Sequence, residues 1–257
     1  MPDSHIIKID LEDRRNKSLR DPDVLLGYID SKMTDTQMYY ILIDEIQLVP
    51  EFEDVLNSYL KISNADMYVT GSNARFLSKD IITTFRGRGD VVHIYPLSFS
   101  EYHSAYDRSK EETLAEYLLY GGLPETITMK SGEEKMAFLR NVYEETYIRD
   151  ILERYNIKQE EELEILFDII SSTVGSLTNP KKIADTFKSL RQNDLSAITI
   201  KRYLDIICES FLMEKAVRYD VKGRKYIDTP HKYYFVDPGL RNARMNFRQP
   251  DYSHVME

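Results

Sequence analysis

Several things are scarce in this sequence of 257 residues. It has one cysteine, Cys208, no tryptophan, and ten glycines, of which only Gly27 precedes Gly71. A single cysteine excludes an intramolecular disulfide and any cysteine-based zinc cluster. Its simplest role is that of a small apolar residue on a helix. The glycine shortage excludes a phosphate-cradling loop, because no G-x-x-x-x-G-K-[S/T] string occurs anywhere in the chain. Long apolar runs are also missing; none approaches the roughly 20 residues that span a bilayer. The first residues, MPDSH, lack the basic region and apolar stretch of a signal peptide. His5, His93, His103, His231 and His254 are scattered, with no H-x-x-x-H or H-E-x-x-H pair, which argues against a zinc site. No G-x-S-x-G elbow supports a serine hydrolase. These absences point to a cytoplasmic location without membrane attachment.

What is present is charge, unevenly spread. Charged residues make up 30% of the chain and the net charge is −9. That balance argues against a protein that coats nucleic acid over its whole surface. Residues 1–60 carry a net charge of −7, whereas residues 176–225 carry +5. The two ends of the chain are therefore expected to do different work.

The first part alternates strands with helices. Residues 5–11 (HIIKIDL), 39–43 (YYILI), 67–70 (MYVT) and 91–95 (VVHIY) read as strands. The run 39–43 is continuously apolar, as in a strand buried on both faces of a parallel sheet. Residues 21–32 read as a helix, with Asp21 as cap and Pro22 at its first position. Pro50 is expected to open another, with Phe52, Val55, Leu56, Tyr59 and Leu60 at helical spacing. Strands alternating with helices predict a doubly wound α/β sheet.

From about residue 96 the pattern becomes helical. Residues 98–105, 111–120, 133–153 and 160–174 read as helices, and Gly121-Gly122-Leu123-Pro124 as a helix stop. Residues 181–190 and 197–214 read as two helices joined by a short polar turn. Short strands at 215–219, 225–227 and 233–236 follow, around Gly223. Two helices and then a hairpin is the winged-helix order. On that reading Lys201 and Arg202 lie on the second helix, and Lys222, Arg224 and Lys225 at the wing tip, all placed to touch nucleic acid. A protein partner is the alternative use of such a unit.

The sharpest chemical feature is Ile41-Leu42-Ile43-Asp44-Glu45. An acid that ends a buried strand emerges at the ligand-binding edge of an open α/β sheet. In ATPases of the P-loop class an aspartate there helps hold Mg²⁺, and the next glutamate orients or deprotonates the attacking water. The following strand ends in Gly71-Ser72-Asn73, which places Ser72 and Asn73 as polar candidates beside the acids. Arg86 and Arg88, just before residues 91–95, are candidates to grip phosphate oxygens, in cis or on a neighbouring subunit.

The ordered strings YYILIDEIQLVPEFEDVLNSYL, VTGSNARFLS, RGRGDVVHIYPLSFSEY, YGGLPE and YDVKGRKYIDTPHKYYFVDPGLRNA resemble a prokaryotic family of AAA-fold ATPases. Its members pair an ATPase core with a C-terminal region of unknown function, winged-helix-like and then nuclease-like. The resemblance covers nearly the whole chain. It implies ATP and Mg²⁺ as cofactors, Asp44 and Glu45 as Walker B acids with Asp44 on the metal, Ser72 or Asn73 as sensor, and Arg88 as the phosphate-facing arginine. It also implies three regions: a partial ATPase core at 1–96, a helical linker at 97–174 and a winged-helix-like domain at 175–257.

The departures from the family shape the remaining expectations. Residues 5–26 resemble the segment that follows the family's phosphate loop, and residues 251–257 resemble the entry to its nuclease-like segment. The chain is therefore expected to be clipped at both ends and to be the remnant of an ATPase. The strand missing from the middle of the family's sheet is expected to leave that sheet rearranged or weakly stable. A nucleotide-independent binding module is the runner-up function.

Overall fold

The structure is a computed structural model, and it describes residues 5–71, 89–157, 160–191, 195–217 and 230–248. It comprises two compact units, residues 1–92 and 93–257, each with its own hydrophobic core. The regions expected at 97–174 and 175–257 share the core of the second unit. No helix among the described residues is long and apolar enough to cross a membrane.

The first unit holds strands β1 (Ile6–Asp10), β2 (Tyr39–Asp44) and β3 (Ala65–Val69), all parallel and in that order. Helix α1 (Pro22–Lys32) links β1 to β2, and α2 (Phe52–Tyr59) links β2 to β3. The α/β class read from the sequence holds. So does the start of α1: Asp21 accepts the N–H groups of Asp23 and Val24 at 3.0 and 3.1 Å, with Pro22 at the first position. Pro50, by contrast, does not open α2. A 3₁₀ turn at Ile46–Leu48 intervenes, and Glu51 at φ 52° leads into a helix that begins at Phe52.

Register decides what the sheet buries. Ile41 lies between Ile7 and Met67, and Ile43 between Ile9 and Val69. That face packs on Leu25 and Ile29 of α1 and on Val55, Leu56 and Tyr59 of α2. Burial on both faces, expected for residues 39–43, is not found. Leu42 is 37% and Tyr68 is 54% exposed. Successive side chains alternate across a strand, and the buried stripes of both helices meet the Ile41–Ile43 side, so the described residues cover the other face only in part. The strand expected at 91–95 is also absent. Val92 and Ile94 are 77% and 89% exposed, and no described strand pairs with them. Strand propensity describes fit to a neighbour, and the described residues offer none here. Within the second unit, Tyr95 instead donates its hydroxyl to Glu214 at 2.7 Å, and His93 lies edge-on to Phe211.

The second unit starts with α3 (Phe99–Ser104), closed by a capping box between Ser98 and Glu101. It continues through α4 (Lys110–Tyr120), the short α5 (Glu125–Thr128) and α6 (Gly132–Asn141). A π-helical stretch at Val142–Ile148 carries α6 into α7 (Arg149–Tyr155), which Asn156 ends at φ 47°. Then come α8 (Glu160–Ser172), α9 (Pro180–Arg191) and α10 (Ala197–Glu209). The last stops five residues before the expected end. Ser210 caps it, and Phe211 at φ 58° turns the chain into β4 (Met213–Ala216). β4 pairs antiparallel with β5 (Lys232–Phe235). The strand expected at 225–227 lies outside the described residues.

A further helix, α11 (Pro238–Arg244), was not read from the sequence. It explains two glycine-bearing strings 115 residues apart. Asp237 is fully buried; its carboxylate accepts Gly122 N–H at 2.6 Å and Leu240 N–H at 3.0 Å, so it caps α11. Asn242 donates to the carbonyls of Leu118 and Leu119 at 2.8 and 2.9 Å, closing the end of α4. The backbones lie so close that a Cβ on Gly239 would sit 2.2 Å from the Tyr120 carbonyl oxygen. Gly121-Gly122 does stop a helix, as expected, with Gly121 at φ 75°. It also makes room for the buried carboxylate, because a Cβ at 121 would lie 2.0 Å from Asp237 Oδ1.

Candidate functional site

Parallel strands bring their C-terminal ends to one edge of the sheet. Asp10 ends β1, Asp44 ends β2 directly beside it, and Thr70 follows β3. Leu42 and Asp44 point away from the α1–α2 core, so the Asp44 side chain is exposed while its strand stays anchored by Ile41 and Ile43.

Thr70 organises the acids. Its N–H donates to the Ile43 carbonyl at 3.0 Å, and its own carbonyl accepts from Ile46 N–H at 3.2 Å. This brings its hydroxyl between two groups: it donates to Asp44 Oδ1 and accepts the N–H of Glu45 at 3.2 Å. Asp44 Oδ2 has no hydrogen-bond partner among the described residues and remains open. Glu45 sits at φ 54°, ψ 48°. The left-handed region costs a non-glycine residue roughly 1 kcal/mol, and it turns the chain out of the strand line at Glu45. Gln47 donates to Glu45 Oε2 and steadies it. Asp10 is committed elsewhere, its Oδ1 accepting the N–H groups of Glu12 and Asp13 at 2.9 and 3.1 Å.

Asp44 and Glu45 thus emerge together at the sheet edge. Ser72, Asn73, Arg86 and Arg88 lie outside the described residues, as do Lys222, Arg224 and Lys225. Lys201 and Arg202 are exposed on α10. Thr70 is the residue that sequence reasoning missed. Its signal is a hydroxyl at the end of the strand after the acidic one, directly before Gly71.

The donor set fits one side of a Mg-nucleotide site. Among the described residues no three His, Cys, Asp or Glu side chains could surround an ion. Mg²⁺ needs no such cage, since it keeps several waters and takes one or two carboxylates plus phosphate oxygens. An open Asp44 oxygen next to a hydroxyl suits that. The phosphate side does not fit, because no G-x-x-x-x-G-K-[S/T] loop occurs in these 257 residues. Two adjacent carboxylates repel phosphate unless a cation lies between.

Residues 1–103, which hold this sheet and its acidic edge, match the AAA domain model. Residues 111–251, more than half of the chain, match the family described as "Domain of unknown function (DUF8612)", and the chain belongs to that family, with an AAA-type domain ahead of it. An uncharacterized protein of Haemophilus influenzae is 33% identical over 259 residues, which is 98% of this chain and 64% of that protein. An uncharacterized protein of Methanocaldococcus jannaschii is 26% identical over 255 residues, 94% of this chain and 56% of that one. The chain therefore spans about three fifths of the length of these curated relatives. The solved structure of the Aeropyrum pernix ORC1 protein in complex with DNA covers 94% of this chain and 77% of its own, at 12% identity and a TM-score of 0.31. A score that low carries no argument.

Proposed function

We propose that these 257 residues carry the metal- and water-facing half of an AAA-type Mg-ATP site, joined to a winged-helix-like binding module. The observation that carries the first part is Asp44 held open at the sheet edge by the Thr70 hydroxyl, with Glu45 turned out beside it. Asp44 would hold Mg²⁺ directly or through water, and Glu45 would orient the attacking water. Ser72 or Asn73 would sense the γ-phosphate, and Arg88 would meet phosphate charge in cis or on a neighbouring subunit of an oligomer. Bound Mg²⁺ would supply neutralisation of phosphate charge. Because the phosphate-gripping loop is not among these residues, the chain alone is proposed to bind ATP weakly and not to hydrolyse it. A cytoplasmic setting accords with the single, half-buried cysteine.

Two measurements test this. Mn²⁺ added at millimolar concentration should broaden the NMR amide signals of Glu45 and Thr70, and Asp44→Ala should abolish that effect. Broadening confined to other acidic segments would remove Asp44 as the metal position. Phosphate release from Mg-ATP should stay at the level of the Asp44→Ala variant; Mg²⁺-dependent turnover lost in that variant would refute the inactive reading.

The second part rests on a specific pairing. Thr178, between α8 and α9, bridges His231, just before β5, through backbone bonds of 2.7 and 3.1 Å in both directions. Helix, bridge, two helices and a hairpin tied back to that bridge is the order of a winged helix, which supports the module reading. Its partner would be DNA or a protein. The wing cations Lys222, Arg224 and Lys225 enter this proposal from sequence alone.

A further inference from the structure

Helix α10 has two opposite stripes. Ile200, Tyr203, Leu204 and Ile207 are buried against Ile183, Ala184 and Phe187 of α9. Ile198, Lys201, Arg202 and Asp205 follow the same spacing on the other side. Ile198 is 81% exposed, and Lys201 and Arg202 are exposed beside it. Helix α9 adds exposed Lys181 and Lys182 in its first turn. Among the described residues none of these four cations has an ion-pair partner. Three cations elsewhere in the same unit are held by acids: Lys135 and Arg108 meet Glu116, and Arg244 meets Glu164 and Asp168.

We propose that the outer face of α10, with the first turn of α9, is a docking surface for duplex DNA. The inference rests on the winged-helix-like reading above and names the partner for it. The chemistry is charge complementarity on a chain that is otherwise acidic. Four unmatched cations cluster on adjoining helices of a protein whose net charge is −9. A protein partner that bound by burial would need a contiguous apolar surface, whereas this face offers one exposed isoleucine flanked by cations. DNA suits both kinds of group. Phosphates take the lysines and the arginine, and an apolar side chain between them fits a thymine methyl in the major groove. The N-terminal half of the second helix is also the part that reaches base edges in helix-turn-helix docking.

The test is fluorescence anisotropy of the full chain with a labelled duplex of about 20 bp, at several salt concentrations. The expected result is salt-sensitive binding. Lys201→Ala combined with Arg202→Ala should raise Kd at least about tenfold and make the slope of log K against log salt shallower by about 2, one per lost phosphate contact. Lys110→Ala combined with Lys130→Ala, an equal charge loss at exposed sites at the start of α4 and just before α6, should leave Kd within about twofold. Binding unchanged in the Lys201/Arg202 variant, or weakened equally in both double variants, would overturn the assignment of this face. Absence of duplex binding in 50 mM salt would overturn it too. Amide exchange then separates the causes. Slow exchange at Thr178, His231 and the β4–β5 pairs with no DNA bound would keep the module and remove its nucleic-acid partner. Fast exchange there would remove the module itself.

Discussion

Asp237 is the most exacting test of the second unit. Its carboxylate is wholly buried, and burial pushes its pKa up to about 6 from the ordinary 3.8, against the opposing pull of backbone N–H groups at Gly122, Leu240 and Gly239. The folded-state pKa is raised, so the folded protein holds this proton more tightly than the unfolded chain does. The associated stability is fully present below about pH 4 and is lost as pH rises through about 6. A shift of about 2 units corresponds to about 3 kcal/mol. Asp237→Asn removes the titration while keeping the size of the side chain, but its amide offers one acceptor oxygen where the carboxylate uses two, for Gly122 and Leu240 N–H. That loss is the same at every pH, so the variant's stability relative to the wild type should rise by up to about 3 kcal/mol between pH 4 and pH 7. For a unit of this size that is a rise in relative Tm of about 6–12 °C. With no tryptophan in the chain, far-UV circular dichroism through urea titrations at pH 4, 5, 6 and 7 is the suitable assay, at micromolar protein. Parallel profiles for the two proteins, or a wild-type advantage that grows with pH, would show that the N–H groups outweigh desolvation and would refute the reasoning.

Gly239→Ala should destabilise the second unit by about 3 kcal/mol or more, because the new Cβ meets the Tyr120 carbonyl at 2.2 Å and backbone must move; a urea midpoint within error of wild type would contradict the close approach. Gly27→Ala, inside α1 with nothing within 4 Å of its Cβ, should stabilise the first unit by about 0.5–1 kcal/mol, read as a higher midpoint. Lys135→Met should cost about 3 kcal/mol, since Lys135 is 5% exposed and its loss leaves Glu116 to Arg108 and the Tyr102 hydroxyl alone; the same midpoint in Lys135→Met and wild type would show that the buried pair contributes nothing. Thr70→Val keeps the shape of β3's end but removes the hydroxyl from Asp44, so Mn²⁺ broadening at Glu45 should weaken several-fold without a change in melting; unchanged broadening would remove Thr70 from the site.

Much of the fold was legible locally. The Asp21–Pro22 start of α1 was read correctly because a cap is made with residues two and three places along the chain. The parallel α/β class followed from apolar runs alternating with helical spacing. Readings failed where an element depends on a neighbour. Residues 91–95 have strand composition but no paired strand among the described residues, and Leu42 belongs to an apolar run yet faces outward. Helix α10 was drawn too long because nothing in residues 210–214 marks the positive φ of Phe211. Helix α11 went unseen because its cap, Asp237, is also the partner of a glycine on another helix end.

The sequence by itself determined three things about this protein: an acidic pair at the end of a buried strand, the absence of a phosphate loop from these residues, and a basic stretch in an acidic chain. Each is a property of residues close together in the chain or of a simple inventory. Only the tertiary structure decided which face of the sheet is covered, that Thr70 clasps Asp44, and that Gly121-Gly122 exists to admit the Asp237 carboxylate. Those outcomes depend on backbones meeting across 26 and 115 residues of chain. Contacts that distant are set by the packing of whole elements against one another, which no local pattern encodes.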